Sequence, residues 1–350
     1  HPILMRVAAC QSRHAGRHAD RRGAVAGVEQ DTCLCQPVEV GRLYERVPGG
    51  THNEGAVLVG VDVEQIRSLA HVSSSNGPPR VGRRTGVRQG TSVASFRAEG
   101  FIGRMRIGIT GGAGHVGSLL HDGLGNEHDI VRFDRTAADG VRAVRFDRAE
   151  EVDGLFDGLQ AIIHLAADPS PEADWDSVCP NNVKATYQVM EECRRAGVGR
   201  VVFASTNHVM HGHSIATTPE TLDPSKKLSM TAVEPPNPDP LYAVSKLFGE
   251  HLGKLYSERF GIEFVAMRIG WTTRSDDPGQ QKGTPSADYM RAMWLSHRDC
   301  VQIFGKALSA PLRFFIAYAT SDNTRKVFDL TETCRVLDYE PQDNAEPAFL

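Results

Sequence analysis

At 350 residues, 40% hydrophobic and 23% charged, the chain has ordinary globular composition and room for one large domain or two modest ones. No apolar run approaches the ~18 residues of a membrane span, and no apolar core with a cleavage pattern marks a signal peptide at its start. The net charge of −4 hides a split: residues 1–104 carry 14 Arg, no Lys and 9 acids, residues 105–350 carry 25 Lys and Arg against 34 acids, which argues against a single folding unit and against nucleic-acid binding by the acidic part.

Residues 1–104 repeat Arg, His, Gly and Ser without period and hold only three aromatics, Tyr44, Phe96 and Phe101. Little there offsets ordering entropy. The segment is expected to be a low-order Arg/Gly-rich extension, compatible with non-native translation upstream of a start at Met105. From Met105 the pattern is regular. Arg106–Thr110 reads as a buried strand, followed by a glycine turn and a helix around Val116–Leu124. Asp129–Phe133 and Val141–Phe146 read as strands ending at Asp134 and Asp147. A helix near Ala149–Phe156 precedes an apolar strand, Ala161–Ala167, and a helix follows over Asp176–Ala196. Arg200–Ala204 is a fifth strand, Tyr242–Phe260 a long helix and Glu263–Ile269 a sixth strand. This alternation predicts a Rossmann-type α/β fold, a doubly wound parallel sheet covered on both faces. It would occupy 105–270, with the loop 211–240 feeding the substrate site and 271–350 forming a small carboxy-terminal substrate lobe. Seven Cys at irregular spacing, with Cys33 and Cys35 lacking zinc-ligand spacing, suggest free thiols in a reducing cytoplasm.

The chemistry gathers at two motifs. Gly111-x-x-Gly114-x-x-Gly117 lies between strand and helix, where glycine permits close backbone approach and the helix N-terminus offers N–H groups to a pyrophosphate. Asp134, seventeen residues past Gly117, is placed to accept from ribose hydroxyls and to repel a 2′-phosphate, which favours NAD; the adjacent Arg135 is the feature that would instead receive that phosphate. Asp147 is within reach of the adenine. Tyr242 and Lys246, four apart, share one helix face. Oxidising a carbinol needs a base for the hydroxyl proton, and an ammonium one turn away, helped by the positive nicotinamide ring, is expected to stabilise the phenolate and bring its pKa toward the working pH. Thr206, after the fifth strand, is placed to hold the substrate hydroxyl. His164, Met293 and Trp294 read as core residues. The sequence shows no metal-ligand cluster.

Thr110-Gly-x-x-Gly-x-x-Gly117, His164-Leu-Ala-Ala167, Asn182-Val, the Thr206 position and Tyr242-x-x-x-Lys246 together resemble the extended short-chain dehydrogenase/reductase superfamily, the NAD-dependent epimerase/dehydratase group. Phe203-Ala-Ser-Thr-Asn-His208, Arg268-Ile-Gly270 and Met293-Trp-Leu-Ser-His-Arg-Asp299 are similar to its sugar dehydrogenase branch, which contains uronate dehydrogenase and an archaeal-type NAD-dependent glucose-6-phosphate dehydrogenase. The likeness spans about 240 residues from Met105. It implies Tyr242 as general base, Lys246 as its activator, Thr206 in a position usually held by Ser, and Asn182 tied to a proton-relay water. It further implies cofactor contacts from Gly111, Gly114, His115, Val116, Gly117, Asp134 and Asp147, and from Leu165, Ala166, Ala167, Tyr242, Lys246 and Ile269. Asn207, His208 and Arg291 would contact the sugar. Lys226 and Lys227, in a loop longer than that of uronate dehydrogenase, offer point charges to a phosphate. The expected reaction is NAD-dependent oxidation of the anomeric carbon of an anionic aldose, a hexose 6-phosphate or a uronate, to a lactone. The partners expected are this sugar and, by analogy with the superfamily, a second copy, but neither nucleic acid nor membrane. Two alternatives remain: a nucleotide-sugar epimerase or dehydratase on the same fold, although Asn207-His208 replaces the Asp-Glu usual in dehydratases, and a non-catalytic dinucleotide sensor, although both Tyr and Lys are retained.

Overall fold

A computed structural model describes residues 103–213 and 230–350. Lys226, Lys227 and nearly all of the amino-terminal extension lie outside the described residues. Seven strands form one parallel sheet in the order β3-β2-β1-β4-β5-β6-β7. They are β1 Arg106–Thr110, β2 Asp129–Asp134, β3 Val141–Ala143, β4 Ala161–His164, β5 Arg200–Thr206, β6 Glu263–Ile269 and β7 Phe314–Ala319. Among the described residues, the α-helices with both ends defined are α1 His115–Leu124, α2 Ala149–Val152, α3 Trp175–Val178, α4 Ala185–Ala196, α5 Leu241–Phe260, α6 Ala287–Met293, α7 His297–Ser309 and α8 Thr331–Leu337. The doubly wound architecture is as expected.

Side chains alternate between the sheet's two faces, so each strand feeds two cores. Ile107, Ile109, Ile163, Val202, Val265 and Met267 pack with Leu120, Phe304 and Leu308. Phe133, Ile162, Val201, Phe203, Phe264 and Ala266 pack on the opposite face with Val189, Met190 and Tyr256. Both faces are dry, which is why the strands read as continuous apolar runs rather than alternating ones.

Strand order reverses between β1 and β4, and the paired ends of these strands, Thr110 beside His164, open a crevice where ligands bind in such sheets. A second device brings α5 to that crevice. Cβ atoms at Gly249 and Gly253 would stand 2.3 and 2.2 Å from the rings of Phe203 and Phe264, so only glycine lets the helix lie this close to β5 and β6.

One expectation needs correcting and another refining. Residues 271–350 do not form only a separate lobe, because β7 pairs in parallel with β6 from Phe264–Phe314 to Ile269–Ala319 and extends the sheet. The helix expected over Asp176–Ala196 is present as a continuous helical run from Trp175 to Ala196, in which residues Cys179–Lys184 are wound as a π-turn between α3 and α4.

Candidate active site

The cradle comes first. Gly111 adopts φ +72°, and a Cβ there would press on the backbone of Ala166 at 2.9 Å. A Cβ at Gly117 would lie 2.3 Å from the Gly111 carbonyl oxygen, so the start of α1 can approach the turn only as glycine. That N-terminus has no side-chain cap and no acid in its first turn. Its N–H groups remain for an anion, and the cradle fits a dinucleotide pyrophosphate.

One cavity of about 1270 Å³ runs from this turn to the ends of β5 and β6. Gly111, Gly114, His115, Val116, Gly117, Asp134, Asp147, Leu165, Ala166, Ala167 and Ile269 line it, as do Thr206, Tyr242 and Lys246. Asp134 accepts the backbone N–H groups of Ala113 (3.1 Å) and Thr136 (2.9 Å), which fixes its carboxylate at the β2 end of the cavity. Arg145 grips Asp147 at 3.0 and 3.2 Å and holds its carboxyl below the usual range, first by hydrogen bonding. Arg135 also lines the cavity and reaches Asn181 at 3.3 Å.

The strand expected over Ala161–Ala167 stops at His164 for a reason that serves the cavity. The Leu165 N–H is shared between the Thr110 carbonyl (3.1 Å) and Thr110 Oγ1 (3.2 Å), and the Ala166 N–H goes to Thr110 Oγ1 alone at 3.1 Å. His164 is a core residue as expected: it is sandwiched between Thr110 and Thr186 at 2.7 and 3.1 Å, and burial, then the nearby Lys246, pushes it down to about 3. It is a neutral strut.

Tyr242 and Lys246 lie on the first turns of α5, 8% and 4% exposed. Lys246 Nζ stands 5.8 Å from the centre of the Tyr242 ring and 5.0 Å from that of Phe203. Burial pushes Tyr242 up to about 12, against a smaller opposing effect of the nearby Thr206 hydroxyl. Burial alone lowers Lys246 from 10.5 to about 7. In the chain alone desolvation therefore disfavours both charged forms; the expectation for the phenol counts on the positive nicotinamide ring as well as on the amine.

Asn182 sits in the π-turn and does not line the cavity. Its amide donates to Ser245 Oγ (2.9 Å) and the Asp168 carbonyl (3.1 Å), its oxygen accepts the Asp168 N–H (2.7 Å), and Ser245 Oγ donates to the Tyr242 carbonyl (2.6 Å). Asn182 thus ties the loop after β4 to the turn carrying Tyr242. π-turns concentrate at functional sites.

The sugar residues divide. Asn207 is buried and its amide meets the Tyr289 hydroxyl; His208 lies beside Tyr242, ring centres 6.3 Å apart. Arg291 is not with them. Its guanidinium is held by Glu346 and Asp288 and lies over the Phe349 ring at 5.4 Å. It stands two positions from Tyr289 on α6, a rotation of about 200°. Arg291 and Tyr289 therefore point to opposite sides of the helix.

Sequence reasoning also passed over His211 and Asp239. His211 Nδ1 lies 2.6 Å from Asp239, and His208 Nδ1 at 2.9 Å from the same carboxylate. The i,i+3 spacing of the two His was a readable signal; their shared carboxylate, about thirty residues on, was not. These three side chains also place ligand atoms within 4.8 Å of one another, a grouping the linear sequence does not display.

A family model described as NAD dependent epimerase/dehydratase family matches residues 107–272. L-arabinose 1-dehydrogenase (NAD(P)(+)) of Haloferax volcanii is 40% identical over 252 residues, 69% of this chain and 97% of the relative. NAD-dependent glucose-6-phosphate dehydrogenase of the same organism is 35% identical over 250 residues, covering 68% and 93%. A crystal structure of a uronate dehydrogenase mutant from Agrobacterium tumefaciens complexed with NAD superposes with a TM-score of 0.59 at 27% identity, covering 70% of this chain and 87% of that one.

Proposed function

The chain belongs to the NAD dependent epimerase/dehydratase family, and from that premise we propose that it oxidises the anomeric carbon of an aldose to a lactone with NAD. One observation carries the reading: a single cavity is lined at one end by the glycine turn and at the other by Thr206, Tyr242 and Lys246. NAD, when bound, supplies the hydride acceptor and a positively charged ring. Gly114 and the α1 N-terminus would hold its pyrophosphate, and Asp134 would accept from the adenosine ribose. Thr206 orients the C1 hydroxyl toward Tyr242, which takes its proton as general base. Lys246 stabilises the phenolate that precedes this transfer. Asn182 keeps the Tyr242 turn in register with the loop after β4. The substrate carbon and the base are thereby held in contact, which converts an encounter into an intramolecular step.

The reading is tested by following NADH absorbance with a panel of aldopentoses, aldohexoses, uronates and hexose phosphates. At least one aldose is expected to turn over, with a lactone as product. Demonstrated NAD binding without turnover of any sugar would count against an oxidising enzyme and for a dinucleotide sensor.

Self-association through α5 is part of the proposal. Leu241, Val244, Phe248 and Leu255 on that helix and Tyr187 on α4 are 37% exposed or more, an apolar stripe of the kind that marks an interface. Light scattering of the full chain is expected to give twice 38.2 kDa; a monomer at micromolar concentration would refute it. Among the described residues, no helix is long and apolar enough to cross a membrane. Their four cysteines, Cys179, Cys193, Cys300 and Cys334, are free, which supports the cytoplasmic setting that cell fractionation would test.

A further inference from the structure

Asp239 meets two imidazoles from a different stretch of chain, and the backbone brings them together. His208 lies in the short 3₁₀ turn after β5, Asn207–Val209, and His211 follows one turn later. Asp239 stands just before α5. The two segments are joined by main-chain bonds: the Asn237 N–H donates to the Val209 carbonyl at 2.9 Å, and the Gly212 N–H to the Asn237 carbonyl at 2.8 Å. A Cβ at Gly212 would lie 2.6 Å from that same Asn237 oxygen, so only glycine lets the segments close. Val209 and Met210, fully buried against Ala243 of α5, anchor the histidine-bearing side. The three side chains are thus delivered by a fixed backbone frame, as a preorganised site requires.

Their spacing is that of a metal-ligand set. One Asp239 oxygen lies 2.9 Å from His208 Nδ1; the other lies 3.1 Å from it and 2.6 Å from His211 Nδ1. Ligand atoms from all three residues fall within 4.8 Å of one another. A tetrahedral cation with bonds of about 2.0–2.1 Å sets its ligands roughly 3.3 Å apart, so these nitrogen–oxygen spacings need to open by only about 0.2–0.7 Å. Two imidazoles hydrogen-bonded to one carboxylate need a proton at each Nδ1; a dication takes the place of those protons and keeps every contact. Imidazole with carboxylate suits zinc and its neighbours, whereas Mg²⁺ and Ca²⁺ take oxygen ligands.

We propose that His208, His211 and Asp239 form a binding site for a transition-metal dication of the zinc class, three protein ligands with a fourth position left to water. The His208 ring is 6.3 Å from that of Tyr242, and the His211 ring 5.0 Å from that of Tyr289. A hydrated dication here flanks the phenol, in space that a sugar approaching Tyr242 must share, and so raises the KM of the sugar. That consequence rests on the aldose-oxidation reading above; the binding itself does not.

The test takes the full chain, stripped with a chelator, and titrates it with ZnCl₂ by calorimetry and with Co²⁺ by absorbance. The chain holds 14 His and 7 Cys, so spectrum and variants together identify the ligands. Expected are visible d–d bands of tetrahedral cobalt without a thiolate charge-transfer band. One zinc equivalent should weaken by about tenfold or more in both His211→Ala and Asp239→Asn, at least the worth of an outer-shell partner. The NAD Kd of each variant, read by protein fluorescence, should stay at the wild-type value, which separates a lost ligand from misfolding. His211→Gln, which keeps a polar side chain without the imidazole, takes the place of His211→Ala if that variant loses NAD affinity. Absence of binding, cobalt held through thiolate, or zinc affinity unchanged in the variants would overturn the site. Inhibition by zinc that excess sugar relieves is expected; zinc that leaves KM unchanged would overturn the competition. No turnover of any sugar would defeat the aldose-oxidation reading, while the zinc titration still decides the site.

Discussion

Tyr242→Phe is expected to lower kcat by about 10²- to 10⁴-fold, the usual worth of a general base, while NAD affinity holds. The substitution keeps the ring in its buried place and deletes one oxygen from a side chain that lines the cavity. Lys246→Met is expected to lose activity on a similar scale, but with an opposite effect on stability. In the chain alone the buried amine falls from 10.5 to about 7. Between those values the unfolded chain binds the proton and the folded chain does not, so stability rises with pH across that window. Below pH 7 the folded protein carries the full cost of a charged buried amine. Lys246→Met should therefore raise the melting temperature of the cofactor-free protein most at or below pH 7, by an amount corresponding to a few kcal/mol, and hardly at all above about pH 10.5. A residue that destabilises its own fold is maintained for what it does in the site. The two variants together separate chemistry from folding. Tyr242→Phe turning over within a few-fold of wild type would remove the phenol from the base position. Lys246→Met being less stable at pH 6 would show that the amine is not carried at a cost.

Much of this site was legible because its signals are local. Arg106–Thr110 and Glu263–Ile269 are strands with the expected boundaries, since both are apolar runs bounded by a turn or a glycine. The glycine turn and the Tyr242–Lys246 spacing each depend on geometry within a single turn. What failed depended on distant partners. Ala161–Ala167 is uniformly apolar, but Leu165 to Ala167 are apolar as cavity lining; the Thr110 hydroxyl, more than fifty positions earlier, ends the strand. Val141–Phe146 loses its last three residues from the strand although Val144 and Phe146 are buried, because β3 is an edge strand with one neighbour. Phe314–Ala319 carries a strong strand composition, yet its place in the sheet is set by β6, some fifty residues away. Arg291 has a suitable charge and the wrong helix face, a distinction that only its partner Glu346 reveals.

Arg268→Leu is expected to destabilise the protein by about 3–5 kcal/mol, the cost of stranding one member of a buried ion pair. Arg268 on β6 and Glu250 on α5 have side chains 2% and 1% exposed and pair at 2.9 Å. The network is closed on every side. Glu250 also accepts from Ser205 (2.6 Å), Arg268 donates to the Tyr318 hydroxyl (3.2 Å), and Tyr318 donates to the Thr231 carbonyl (3.2 Å). It thus bolts β5, β6, β7 and α5 together directly beneath the site: Ser205 precedes Thr206, and Glu250 lies one turn beyond Lys246. Removing the guanidinium leaves Glu250 with a single donor in a dry interior. For a chain of this size the loss corresponds to a fall in melting temperature of roughly 6–20 °C by calorimetry. The double variant Glu250→Leu/Arg268→Leu is expected to recover most of that loss, because two apolar side chains avoid the desolvation that either lone charge suffers. Recovery of stability without recovery of kcat would mean that the pair is kept to hold Thr206, Tyr242 and Lys246 in register. A double variant no more stable than either single one would mean that shape, not charge, holds the four elements together.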